Sequence, residues 1–100
     1  MRQSFLGKYA EQIIIHYFEN KGFNIFLTRF KRAGGEIDLI AKNENQIIFI
    51  EVKYRKNFDD FEGIVNEKKI NRIYKTIDKF FAEYPELSTL KYAVDVIFID

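Results

Sequence analysis

The sequence contains no cysteine and no tryptophan, and only one proline, one methionine and one histidine. Without cysteine there is no disulfide scaffold, no thiolate zinc site, no redox pair and no cysteine nucleophile, and a reducing compartment, the cytoplasm, is the expected location. A lone histidine, His16, has no second histidine with which to hold a metal, and it lies five positions after Glu11, off that residue's helical face. Long hydrophobic runs are missing too: stretches such as 13–15 and 47–50 are far too short to span a bilayer, and no basic start leads into a signal-peptide segment. A soluble chain making no membrane contact is the expectation. Nor does one sign of charge dominate. Sixteen Lys and Arg against 15 Asp and Glu leave a net charge of +1, so attraction to nucleic acid would have to come from local clustering.

What the chain does have is apolar volume. Hydrophobic residues make up 47% of its 100 positions, with 11 Phe and 6 Tyr, which suffices for one core and leaves no length for a second, so 1–100 reads as a single domain. Tyr9, Ile13, Ile14, Tyr17 and Phe18 recur at helical spacing and predict a helix over 4–20, with Ser4 as its cap and Gly22 as a left-handed stop. Three strands are expected next, at 23–30, 36–41 and 46–54, the first ending in the basic turn Lys31-Arg32-Ala33-Gly34-Gly35 and the second and third joined by a short polar connection. A partly packed loop over 57–63 follows. Ile70, Ile73, Tyr74, Ile77, Phe80 and Phe81 then share one face of a predicted helix over 66–83, with Lys68, Arg72, Lys75 and Lys79 within about 60° of one another on the opposite face. Pro85 marks its end, and 92–99 is a final strand. Helix, three strands, helix and strand point to an α/β sandwich.

The chemistry is concentrated in Gly35-Glu36-Ile37-Asp38-Leu39-Ile40 and, thirteen positions after Asp38, Glu51-Val52-Lys53. If the two strands pair through the short connection, Asp38 and Glu51 lie side by side on one face, with Lys53 on that face as well. Two neighbouring carboxylates repel each other, and a hard dication such as Mg²⁺ offsets the repulsion while leaving positions for water and phosphate oxygens. An ammonium beside them can orient the attacking water or stabilise charge developing on phosphorus. The plain alternative is a solvated sheet face carrying a Glu-Lys pair. Glu36 is read as turned away from the site, structural or hydrogen-bonded to the turn. Asp95 is left open between a buried hydrogen-bonded acid and an outer group of the site.

These segments, with Gly7-Lys8-Tyr9-Ala10-Glu11, Gly22-Phe23, Arg55, Val65-Asn66-Glu67-Lys68-Lys69 and Val94-Asp95-Val96, resemble the YraN-like family of bacterial endonuclease-like proteins, within the PD-(D/E)XK nuclease superfamily. The resemblance covers 7–99. It implies a restriction-endonuclease-like three-layer sandwich, a mixed central sheet flanked by helices. It implies that Asp38, Glu51 and the Val52 carbonyl hold Mg²⁺ or Mn²⁺, that Lys53 is the catalytic lysine, and that Glu11 is an acid aimed from the first helix at the same site. Lys69 matches a family lysine suited to a phosphate contact. Ala10, Ala33, Asn66 and Ala93 depart from the family pattern, the second and fourth removing cations.

Lys31 and Arg32 before the glycine pair, Arg55 and Lys56 after the third strand, and Lys69 and Arg72 on the second long helix are the candidate contacts to nucleic acid. Gly34-Gly35 reads as a turn, because no Lys-Ser or Lys-Thr and no helix follow it. The reading that follows is a metal-dependent endonuclease acting on DNA, structured or branched DNA included, with no small-molecule cofactor and with a homodimer wherever both strands are cut. Two others stand beside it: a catalytically silent nucleic-acid-binding or assembly module, and a structural partner protein without nucleic acid.

Overall fold

The computed structural model describes residues 2–54 and 66–99. Its elements are helix α1 (Arg2–Asn20), strands β1 (Asn24–Arg32), β2 (Gly35–Lys42) and β3 (Gln46–Tyr54), helix α2 (Glu67–Glu83), a 3-10 turn at Pro85–Leu87 and strand β4 (Lys91–Ile99). The order is the expected one, and β3 has the expected ends. α1 starts two residues before Ser4, which therefore lies inside the helix instead of capping it; Arg and Gln are good helix formers and extend it. Gly22, at φ 90°, ends α1 as expected. The Phe23 amide donates to the Phe18 carbonyl and the Gly22 amide to that of Glu19, the paired bonds of a Schellman motif. Asn66 caps α2, its side-chain oxygen accepting the Lys69 amide at 2.9 Å. The loop at 57–63, with Arg55 and Lys56, lies outside the described residues.

The four strands form one sheet in the order β1-β2-β3-β4. β2 is antiparallel to both its neighbours, and β4 runs parallel to β3, a connection that a crossover helix, here α2, makes possible. Helices cover both faces, so the central strands are apolar on both sides. Ile47 and Phe49 pack toward α2 with Phe30, Ile37, Ile40, Ile77 and Phe80, while Ile48 and Ile50 pack toward α1 with Ile14, Phe18, Leu39 and Ala41. This is a three-layer α/β sandwich. Among the described residues no helix is long and apolar enough to cross a membrane.

The apolar residues of α1 divide into two stripes. Ala10, Ile14 and Phe18 are buried against the sheet, whereas Tyr9, Ile13 and Tyr17 are exposed. Ile13 and Tyr17 line an apolar groove between α1 and the edge strand β4. α2 is anchored more deeply: the Phe80 ring is completely buried and sits edge-on to Phe26, Phe30, Phe49 and Phe81. Such edge-to-face pairs add about 0.5–1.5 kcal/mol each beyond area burial.

At its other end α2 meets the β1–β2 hairpin. Ala33 and Gly34, the two residues between the paired Arg32 and Gly35, both have positive φ, 55° and 78°, as a two-residue hairpin turn demands. Thr76, fully buried, places its hydroxyl 3.0 Å from the Arg32 carbonyl and 2.9 Å from that of Arg72, so one proton serves strand and helix. A Cβ at position 35 would collide with Thr76 Oγ1 and press on the Arg72 carbonyl, so glycine there permits the helix to close on the strand.

Gly35→Ala is expected to lower stability by about 1–3 kcal/mol by forcing α2 away from the hairpin. Ala33→Gly is expected to raise it by up to about 1 kcal/mol by removing a left-handed non-glycine residue. Urea unfolding of the two variants against the parent chain measures both effects.

Candidate active site

β2 and β3 pair from Lys42 opposite Ile47 to Leu39 opposite Ile50, and there their ladder stops. β2 stays paired with β1 as far as Gly35, and β3 with β4 as far as Tyr54, so the sheet forks. One step further in the same register, Asp38 and Glu51 face each other at the crotch of the fork. Instead of the next ladder bond, Asp38 Oδ2 accepts the Val52 amide at 2.7 Å. A cleft of about 350 Å³ opens at this point. Asp38, Glu51, Val52 and Lys53 line it from the strands, Gly34, Gly35 and Glu36 from the hairpin, and Lys69, Ile70, Arg72 and Ile73 from α2. The Val52 side chain packs in the core beneath α1, so Val52 meets the cleft through its backbone.

Burial and the adjoining carboxylate dominate the electrostatics. The Glu51 carboxyl is pushed up to about 8, first by burial, then by its hydrogen bond to Asp38 and by the negative charge of Asp38, with Glu36 adding to the effect and the Lys53 ammonium opposing it. Near neutral pH this shift favours the protonated form of Glu51.

The structure brings together five of the residues singled out in the sequence apart from Asp38: Glu51, Val52 and Lys53 from β3, and Lys69 and Arg72 from α2. Lys69 is half-buried and Arg72 exposed at the cleft wall. Glu11 is elsewhere. It accepts a hydrogen bond from Arg29 at 3.1 Å and does not line the cleft. Arg32 is committed to Glu83 through two bonds of 2.7 and 3.0 Å, and it also donates to the Lys31 carbonyl and stacks on Phe30. Lys31 lies beside the cleft, 3.7 Å from Glu36. Arg55 lies outside the described residues. His16 is exposed and 3.8 Å from Glu19.

Two acids change standing. Glu36, expected to turn away, lines the cleft two residues from Asp38. Asp95 pairs with Ile50 on the neighbouring strand and lines the groove beneath α1, so it belongs to the opposite face of the sheet from Glu51. Asn66, which departs from the resembled pattern, is explained by its capping bond to Lys69, which fixes the helix turn from which that lysine reaches the cleft.

The donors suit a small hard dication. Asp38 and Glu51 supply carboxylate oxygens and Val52 a backbone, a set that leaves several positions for water and substrate, the manner in which Mg²⁺ is usually bound. Among the described residues no group of three or more His, Cys, Asp and Glu is arranged around one point, so a cage of protein ligands alone does not exist there.

Comparison with known proteins places the chain among close relatives. A family model described as "Uncharacterised protein family UPF0102" matches residues 10–99. A UPF0102 protein of Sulfurihydrogenibium sp. (strain YO3AOP1) is 38% identical over 79 residues, 77% of this chain and 69% of the relative. One of Rhodopseudomonas palustris is 34% identical over 93 residues, 93% of this chain and 72% of the relative. One of Caldicellulosiruptor bescii is 36% identical over 99 residues, 95% and 83% respectively.

A raised carboxyl is also a statement about stability. Between its ordinary value of 4.5 and about 8, Glu51 keeps its proton in the fold and loses it in the unfolded chain. Its contribution to stability is therefore fully present at acid pH and is lost as pH rises through that window. The melting temperature is expected to fall between about pH 5 and pH 8. Glu51→Gln, which stays neutral and still donates to Asp38, should flatten that fall and melt higher than the parent at pH 8. Scanning calorimetry across the range measures both.

Proposed function

The chain belongs to the uncharacterised protein family UPF0102, and from that premise we propose that it is a metal-dependent endonuclease that hydrolyses phosphodiester bonds in DNA. The observation that carries this reading is the pair Asp38 and Glu51 at the fork of the sheet, with Lys53 two residues along β3 in the same cleft. Asp38, Glu51 and the Val52 carbonyl would hold Mg²⁺ or Mn²⁺, which when bound supplies Lewis-acid stabilisation of the phosphate and a more acidic water. The likeness of these segments to PD-(D/E)XK nucleases supports the same assignment.

The chain's own residues account for the remaining requirements. Glu51 has to release its proton before it can ligate, so metal affinity rises with pH toward about 8. Lys53, already interacting with Glu51, is placed to orient the attacking water or to neutralise charge as it develops on phosphorus. Lys69 and Arg72 supply positive charge on the opposite wall, from the first turns of the capped helix α2. From Arg72 the cationic face continues along α2 through exposed Lys75 and Lys79, a track suited to a phosphate backbone. Each chain offers one such cleft, so cutting both strands of a duplex calls for two copies.

A second reading, a nucleic-acid-binding module without catalysis, draws on the two-carboxylate site itself, since no third protein acid completes it among the described residues.

Titration of Mn²⁺ followed calorimetrically, then incubation with plasmid and four-way-junction DNA, distinguishes the two. The parent chain should bind Mn²⁺ and cleave, and Asp38→Asn/Glu51→Gln should do neither. Lys53→Ala should keep metal binding and lose about 10²-fold or more in cleavage rate. Salt-dependent binding with no cleavage by any metal-loaded sample would establish the second reading, and cleavage surviving in every variant would assign the activity to a contaminant. Separately, Lys69→Ala and Arg72→Ala should each weaken DNA binding and reduce the slope of log affinity against log salt by about 1.

A further inference from the structure

β1 contains a backbone feature that none of its turns explains. Arg29 adopts φ 51° inside the nine-residue strand, and the only other described non-glycine residue with positive φ, Ala33, sits in the two-residue hairpin turn that demands it. Bulky residues avoid this region, and where one persists the surroundings have to hold it there.

The consequence can be read in the core. Leu27 and Phe30 both pack on the α2 side although they are three residues apart, and across the ladder Ile40 and Ile37 do the same. In a regular strand, residues three apart face opposite sides. Both strands therefore skip a beat, and they skip it at one level. Thr28 pairs with Leu39 and Phe30 with Ile37, but the rung between them, Arg29 with Asp38, is missing from the ladder. Released from strict alternation, Asp38 turns its carboxylate sideways to accept the Val52 amide, which, like every strand amide, points within the sheet. The Arg29 side chain meets α1 through a 3.1 Å ion pair with Glu11, whose side chain is only 19% exposed.

We propose that the left-handed kink at Arg29, locked by the Glu11 ion pair, sets the Asp38 carboxylate in the crotch of the fork, making Glu11 and Arg29 positioning residues for the metal site. This inference rests on the metal reading above. It gives Glu11 a different part from that of a ligand, because Glu11 acts on the site through Arg29 and Asp38. The lock is needed only because an arginine occupies a left-handed position; glycine adopts that conformation without help.

The test uses the full chain with Glu11→Gln, Arg29→Gly and both together. It has two readouts, calorimetric Mn²⁺ affinity and hydrogen exchange of the Val52 amide in the metal-free protein. Glu11→Gln should weaken Mn²⁺ binding about tenfold, the scale on which residues behind metal ligands act, and should speed Val52 exchange. Arg29→Gly should stay within about twofold of the parent in both readouts, since the kink survives without the pair. Adding Glu11→Gln to Arg29→Gly should then change nothing further. A tenfold loss from Glu11→Gln in both backgrounds would make Glu11 a ligand in its own right and overturn the proposal. Unchanged affinity and exchange in Glu11→Gln would overturn it as well. If the parent chain binds no Mn²⁺ the metal reading fails, and Val52 exchange alone then decides whether the pair positions Asp38.

Discussion

Two neighbouring carboxyl groups in a half-buried cleft resist being charged together. The geometry around Asp38 and Glu51 follows from that constraint. Asp38 accepts the Val52 amide, a bond that exists only because β2 and β3 stop pairing one residue earlier. Glu51, covered by the surrounding chain and beside Asp38, has its carboxyl pushed up to about 8. The fork thus has two outcomes. It opens space beside the acids, and it diverts a backbone donor from the ladder to a side chain. A continuous ladder would have consumed the Val52 amide and left Asp38 without its partner.

Holding a sheet open at one end requires that the rest of it be closed firmly, and the two cores do this from opposite faces. Phe80 fastens α2 over β1 and β3 through the rings of Phe26, Phe30 and Phe49. The Thr76 hydroxyl and the absent side chain of Gly35 bring the same helix down onto the hairpin. Without that close approach Lys69 and Arg72 would stand farther from the acids, and the cleft would lose its cationic wall. The helix that completes the hydrophobic core is also the one that supplies positive charge opposite Asp38 and Glu51. A packing defect at Gly35 or Phe80 would accordingly be felt at the site as well as in stability.

Much of this was legible in the residues. The apolar run 47–50 between polar ends identified β3 to the residue, and the 100° recurrence from Ile70 to Phe81 identified α2, because burying one face leaves a periodic trace in composition. The proximity of Asp38 to Glu51 followed from the short connection between β2 and β3, and that of Lys53 to Glu51 from strand parity. The two stripes of α1 were not legible: Tyr9, Ile13 and Tyr17 have the same apolar character as Ile14 and Phe18, and only the position of the edge strand leaves the first three exposed. Ion pairing was hidden as well. Nothing near Arg32 in sequence announces Glu83, fifty-one residues away, and the basic turn looked freer for phosphate than it is.

By itself, then, the sequence determined the family, the order of helices and strands, and the three strand residues that meet at the cleft, since each depends on spacing along the chain. The tertiary structure decided where that order is broken. Arg29 is a left-handed residue in a strand, Asp38 bonds to Val52 instead of continuing the ladder, Glu11 turns to Arg29, and Glu36 joins the cleft. Propensity cannot encode such departures, because each is stabilised by partners from other elements and exists only once helices and sheet have been brought together.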